Sequence, residues 1–102
     1  MSTRMLVPND INFNQIVGNY LRKTRMRKGL TGSELGKLMG ISQQQISRSE
    51  RGKTQVSFSY VCNHMVTLGL SLDDFFSFLK KEILEQQYGK NDYIEYEYIN
   101  YS

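Results

Sequence analysis

Cysteine, proline and histidine each occur once in the 102 residues, and tryptophan does not occur at all. One cysteine excludes an intrachain disulfide framework, and Cys62 with His64 supplies too few ligands for a structural zinc site. No apolar run approaches the roughly 18 residues that a membrane-spanning helix requires. The opening MSTRMLVPND lacks the apolar stretch and small-residue cleavage site of a secretory signal. We therefore expect a cytoplasmic, reduced, soluble domain with no membrane partner. Its length suits one small domain with a modest core and little room for a deep substrate cleft. Cys62 falls on an apolar helical stripe and reads as a buried thiol, while His64 reads as a surface residue. With no catalytic constellation around either, no enzyme, metal, cofactor or small-molecule ligand is expected.

What is present is an uneven charge. Residues 1–60 carry ten basic groups against three acidic ones, a balance of +7. Residues 61–102 carry three against seven, a balance of −4. A basic half joined to an acidic half suggests one face for a polyanion and another face turned away from it.

The only proline is Pro8, and apolar residues then recur at helical spacing. Phe13, Ile16, Val17, Tyr20, Leu21 and Thr24 form the stripe of a first helix ending near Lys28–Gly29. Its other face holds Arg22, Lys23, Arg27 and Lys28. Thr31 with Glu34 three residues on predicts a capping box, followed by a short helix with Leu35, Leu38 and Met39 inward and Gly40 as its stop. Ser42 caps a third helix, Gln43 to Arg51, whose one strong apolar residue is Ile46, so most of its surface must be exposed. Ser57 caps a fourth helix with Phe58, Val61, Cys62, Met65 and Leu68 on one stripe. Ser71 caps a fifth with Leu72, Phe75, Phe76, Leu79 and Ile83, running towards Tyr88.

The tail is different in kind. Residues 93–101, YIEYEYINY, are aromatic and β-branched, which is strand composition. A lone strand must pair with another chain, dock on the helices or stay disordered. Phe78 and Leu84 lie off the main stripe of the fifth helix and suggest a second contact surface. Together with Tyr96 and Tyr98 on one side of the tail, they are the expected homodimer interface.

A short helix, a glycine-containing turn and a polar helix are the layout of a helix-turn-helix. The segment LTGSELGKLMGISQQQISRSERGK, residues 30–53, resembles the Cro/C1-type helix-turn-helix family, also called the Xre family, and the likeness covers roughly residues 16–79. A looser resemblance is to small regulators encoded in fimbrial operons. The first resemblance implies an all-α, five-helix, lambda-repressor-like fold over residues 11–88, after a flexible segment 1–10 and before the tail 89–102. It implies double-stranded DNA as the partner and a homodimer on a palindromic operator, with repression as the expected outcome. Physics supports it at the third helix, where Gln43, Gln44, Ser47 and Arg48 share one outward face. Gln pairs with adenine and Arg with guanine through two hydrogen bonds each. The family places base contacts at the positions of Gln43, Gln44 and Arg48, and backbone grips at Ser42, Arg51, Lys53 and Thr54. It also implies an ion pair between Arg25 and Glu50. Three departures stand out: Gly32 replaces a phosphate-binding Gln, Gly36 replaces Ala, and Ser49 replaces an apolar anchor. The alternative reading is an antitoxin that masks a toxin with its tail and autoregulates its operon. A neighbouring toxin gene would favour it.

Overall fold

The fold, a computed structural model, describes residues 11–88. Five helices follow in order: α1 Phe13–Arg27, α2 Gly32–Met39, α3 Gln43–Glu50, α4 Phe58–Leu68 and α5 Leu72–Tyr88. No strand occurs among the described residues. The tail with Tyr96 and Tyr98, and the segment 1–10, lie outside them.

Local chemistry sets each boundary. Asn12, Thr31, Ser42 and Ser57 accept hydrogen bonds from backbone N–H groups at the starts of α1, α2, α3 and α4, satisfying donors that have no partner within the helix. Thr31 and Glu34 form the full capping box, with Thr31 N–H donating to Glu34 at 2.8 Å and Glu34 N–H to Thr31 at 3.0 Å. Asp74 N–H donates to the Ser71 hydroxyl at the start of α5. Gly40 closes α2 at φ +75°, the left-handed conformation that lets α3 turn away at once.

Two apolar clusters hold the helices together. One joins Tyr20 of α1, Val61 and Met65 of α4, and Phe75 of α5. The other joins Leu35 and Met39 of α2, Ile46 of α3 and Leu68 of α4. The Tyr20 hydroxyl donates to Asp74 at 2.6 Å, and Arg27 lies 3.7 Å from the same carboxylate, so α1 is tied to the start of α5. Burial and the bond to Asp74 push the Tyr20 phenol above its ordinary range.

Several expectations about faces are corrected. Leu38 is 61% exposed because α2 is only eight residues long and Leu35 and Met39 fill its inner face. Phe58 and Phe76 are 57% and 46% exposed and Leu72 is also open, although each sits on a stripe that reads as core. Phe78 packs against Tyr20, ring centroids 5.2 Å apart, and Leu84 is buried. Leu84 presents no open face, whereas Phe78 is half-buried and shows its ring to the cleft between α1 and α5. Cys62 is only half-buried.

His64 is the largest correction. It is 1% exposed, on the buried line of Val61, Met65 and Leu68. Its Nε2 lies 2.7 Å from the Thr24 hydroxyl, which itself donates to the Tyr20 carbonyl at 2.8 Å. Nε2 and the Thr24 hydroxyl share one hydrogen bond, whose donor is set by the ring's tautomer. Burial, with the nearby Arg25 charge adding to it, lowers the His64 pKa from 6.5 to about 4.

The joint between α1 and α3 is closer than side chains would permit. A Cβ on Gly18 would lie 2.6 Å from the Glu50 carbonyl oxygen and 2.7 Å from that of Ser49. Ser49 is buried, its hydroxyl donates back to the Gln45 carbonyl and its side chain also hydrogen-bonds Tyr60 of α4, so this small polar residue is satisfied where α3 meets α1. This accounts for its presence where an apolar anchor was expected. Gly36 has the same role within the helix-turn-helix, since a Cβ there would come 2.8 Å from the Ile41 carbonyl oxygen. Above this joint, Arg25 donates to both Glu50 carboxylate oxygens, at 2.7 and 2.9 Å, and to the Leu30 carbonyl at 2.7 Å. The two side chains are 14% and 7% exposed. Hydrogen bonding to Glu50 raises the Arg25 pKa further, so the guanidinium stays charged.

Two outcomes follow. Glu50→Ala should destabilise the domain by about 3 kcal/mol, because an unpaired buried guanidinium remains, and adding Arg25→Ala should cost far less than a second such loss. Additive losses in urea melts would contradict the pairing. For His64, the unfolded chain takes up the proton below pH 6.5 while the folded ring resists it until about 4. His64 therefore contributes its full stability above pH 6.5 and loses it as pH falls to 4, by roughly 2–3 kcal/mol. His64→Leu should flatten that part of the pH profile, and an unchanged slope would count against a buried neutral ring.

Candidate nucleic-acid interface

The third helix shows two chemically distinct sides. Ile46, Ser49 and Glu50 are buried, while Gln43, Gln44, Gln45 and Arg48 are exposed and Ser47 is half-buried. Its single acid is turned inward and neutralised by Arg25. The outward side therefore holds amides, a hydroxyl and a guanidinium with no opposing carboxylate on the same helix. Gln43, Gln44, Ser47 and Arg48 all lie on the outer part of α3. Gln45 is exposed as well, on the flank. An eight-residue helix spans about 12 Å, a length that fits across the major groove.

The N-terminal end of α3 points its free N–H groups outward, a favourable place for a phosphate. The Ser42 hydroxyl accepts from Gln45 N–H at 3.0 Å, and its own O–H can donate to a phosphate. Past the other end, Arg51 and Lys53 are exposed and Thr54 is half-buried. Arg51 Nε donates to the Ser47 carbonyl at 3.3 Å, which leaves its terminal nitrogens free of that bond.

A cleft of about 260 Å³ opens between α1, the start of α2 and α3. Arg22 and Arg51 stand on it, with Gly32, Gln43 and Ser47, above the Arg25–Glu50 pair. The structure divides the basic face of α1, bringing Arg22 beside α3 while Lys23 and Arg27 lie towards α5. The signal was present in the spacing: Gly18, Arg22 and Arg25 follow at i, i+4 and i+7 along one line of α1. At Gly32 a Cβ would meet Gln43 and Ile46 side chains only at 3.7 Å, so packing does not demand glycine there. Its lack of a side chain leaves the cleft floor open where the Cro/C1 pattern puts a glutamine.

Away from α3, the Phe58 and Phe76 rings stack with centroids 6.5 Å apart and planes 20° from parallel. They form an exposed aromatic patch across α4 and α5, although both lie on apolar helical stripes. No helix among the described residues is long and apolar enough to cross a membrane. No group of three or more His, Cys, Asp or Glu among them is placed to hold a metal ion.

Comparison with known proteins agrees with this geometry. The family model described as a helix-turn-helix domain matches residues 16–75, from the first turn of α1 into α5. Two crystal structures of the clp gene regulator ClgR from Corynebacterium glutamicum are similar in fold and sequence. One has a TM-score of 0.61 at 31% identity, covering 64% of this chain and 84% of the ClgR chain. The other has a TM-score of 0.67 at 28% identity, covering 78% and 83%. A search of curated proteins finds no match. The matched span contains the α2–turn–α3 unit together with the α1 and α4 helices that brace it, so the likeness covers the reading helix and its support alike. On that ground the chain belongs to the helix-turn-helix domain family, in its all-α, lambda-repressor-like Cro/C1 form, and is a DNA-binding transcriptional regulator rather than an enzyme.

Proposed function

We propose that this regulator binds a palindromic operator as a homodimer in the cytoplasm and represses by occupying it. The observation that carries the reading is the outer side of α3: exposed amides and Arg48 on a helix whose one acid is buried and paired. Gln43, Gln44, Ser47 and Arg48 read base edges, with Arg48 on a guanine and a glutamine on an adenine. Ser42, Arg51, Lys53 and Thr54 hold phosphates, and Arg22 joins them from across the cleft. One such helix reads only a few base pairs, so two copies are needed to define a site, with half-sites about 34–36 Å apart. The exposed Phe58–Phe76 pair, rather than the half-buried Phe78 and the buried Leu84, is the apolar face we assign to the second copy.

Binding measured by fluorescence anisotropy on a duplex enriched from a random library tests this. Arg48→Ala should cost about 1–3 kcal/mol on the enriched site and much less on unrelated DNA. Lys53→Ala should weaken both equally and lower the salt dependence by about one phosphate. Phe58→Glu with Phe76→Glu should yield a monomer by sedimentation and weaken the enriched site. Equal loss on both DNAs for Arg48→Ala would overturn the assignment of base readout.

A further inference from the structure

A second cleft lies on the opposite side of α1, between it and α5. Its volume is about 240 Å³, below the 300–1,000 Å³ typical of small-molecule sites. That size suits one side chain better than a cofactor or an effector. Lys23 and Arg27 rise from α1 and Lys81 from α5, and all three are exposed. The Phe78 ring forms a wall, with the Lys23 ammonium 5.5 Å from its centroid. Asp74 is the one acid at the rim, and Tyr20 and Arg27 already hold it. The cleft thus combines an aromatic wall with cations on both banks.

The occupant that fits this chemistry is an aromatic side chain flanked by carboxylates. The chain carries one such segment close by. Beyond α5 come fourteen residues with four tyrosines, three acids and a single cation, Lys90. Within them Glu95-Tyr96-Glu97 sets a ring between two carboxylates. Reach is adequate. Lys81 lies seven residues before Tyr88, about 10 Å back along the helix, and Asp74 about 21 Å back. The six residues from Asp92 to Glu97 can span at most about 17 Å. With three residues, 89–91, to reverse direction, that length is enough for Glu95 and Glu97 to reach the levels of Lys81 and Arg27.

The geometry points to an intramolecular docking site: the Glu95-Tyr96-Glu97 segment occupies the α1–α5 cleft of its own chain, Tyr96 against Phe78 and its two acidic neighbours against Lys23, Arg27 and Lys81. The contact would cover three cations on a face remote from α3. DNA attraction would then concentrate on the α3 side.

The test uses the full chain with Cys62→Ser and a nitroxide on Ser102→Cys. Paramagnetic broadening of the backbone amides of Lys23, Arg27, Ser77 and Lys81 is the readout. Broadening is expected in singly labelled chains, and none in a mixture of isotope-labelled, nitroxide-free chains with unlabelled nitroxide chains. Tyr96→Ala, which alters only the tail, should remove it. Lys23→Glu with Lys81→Glu should also remove it, and adding Glu95→Lys with Glu97→Lys should bring it back. Broadening that persists in Tyr96→Ala, that appears only in the mixture, or that falls on Phe58 and Phe76 would overturn the proposal. So would unchanged broadening in Lys23→Glu/Lys81→Glu accompanied by lost DNA affinity, which would make the cleft a phosphate surface.

Discussion

The bidentate Arg25–Glu50 pair is the interaction on which the reading helix depends. A helix that must show amides and an arginine to DNA can bury little of itself, and α3 buries only Ile46, Ser49 and Glu50. So little apolar area cannot fix its orientation by packing alone. The pair supplies direction: two parallel hydrogen bonds from α1 define where the end of α3 sits, and the third donor on Leu30 fixes the start of the helix-turn-helix to the same guanidinium. The absence of a side chain at Gly18 lets the backbones come close enough for this reach. The same pair removes the only carboxylate of α3 from the surface, so one contact serves both fold and electrostatics.

This arrangement sorts the charge by face along α1. Gly18, Arg22 and Arg25 line the side towards α3, where Arg51 completes a basic cleft. Tyr20, Lys23 and Arg27 line the side towards α5. Thr24 points inward between them and binds neutral His64. A neutral histidine in this position matters because a protonated ring would place a cation in the core close to Arg25. The core thus favours the uncharged ring, while the positive charge stays on surfaces that face water or DNA.

Much of the architecture was legible in the sequence, because each boundary is a local event. Asn, Thr or Ser caps and glycine stops act over three or four residues, and such signals depend little on the rest of the fold. Which side of each helix is covered depends instead on what packs there. On α5, Phe75 is buried near the start and Leu84 near the end, half a helical turn apart, so a single stripe drawn through the helix misplaces Phe76 and Leu84. His64 lay on the i, i+3, i+4, i+7 line of Val61, Met65 and Leu68, but its polarity suggested the surface until Thr24 appeared across from it. Gly18 gave no signal of its own, since its meaning comes from the Ser49 and Glu50 carbonyls that approach it. At α3 the sequence was most informative, for a helix with one strong apolar residue has only one side it can bury.

The central claim is that α1 holds α3 so that Gln44 and Arg48 meet base edges. A crystal structure of the full chain on a duplex enriched from a random library tests it most directly. The account predicts α3 in the major groove, Arg48 paired with a guanine, Arg22 and Arg51 on phosphates beside the cleft, and Arg25 still bound to Glu50. DNA lying along α1 and α5 with α3 outside the groove, or Glu50 released from Arg25 in the complex, would contradict it.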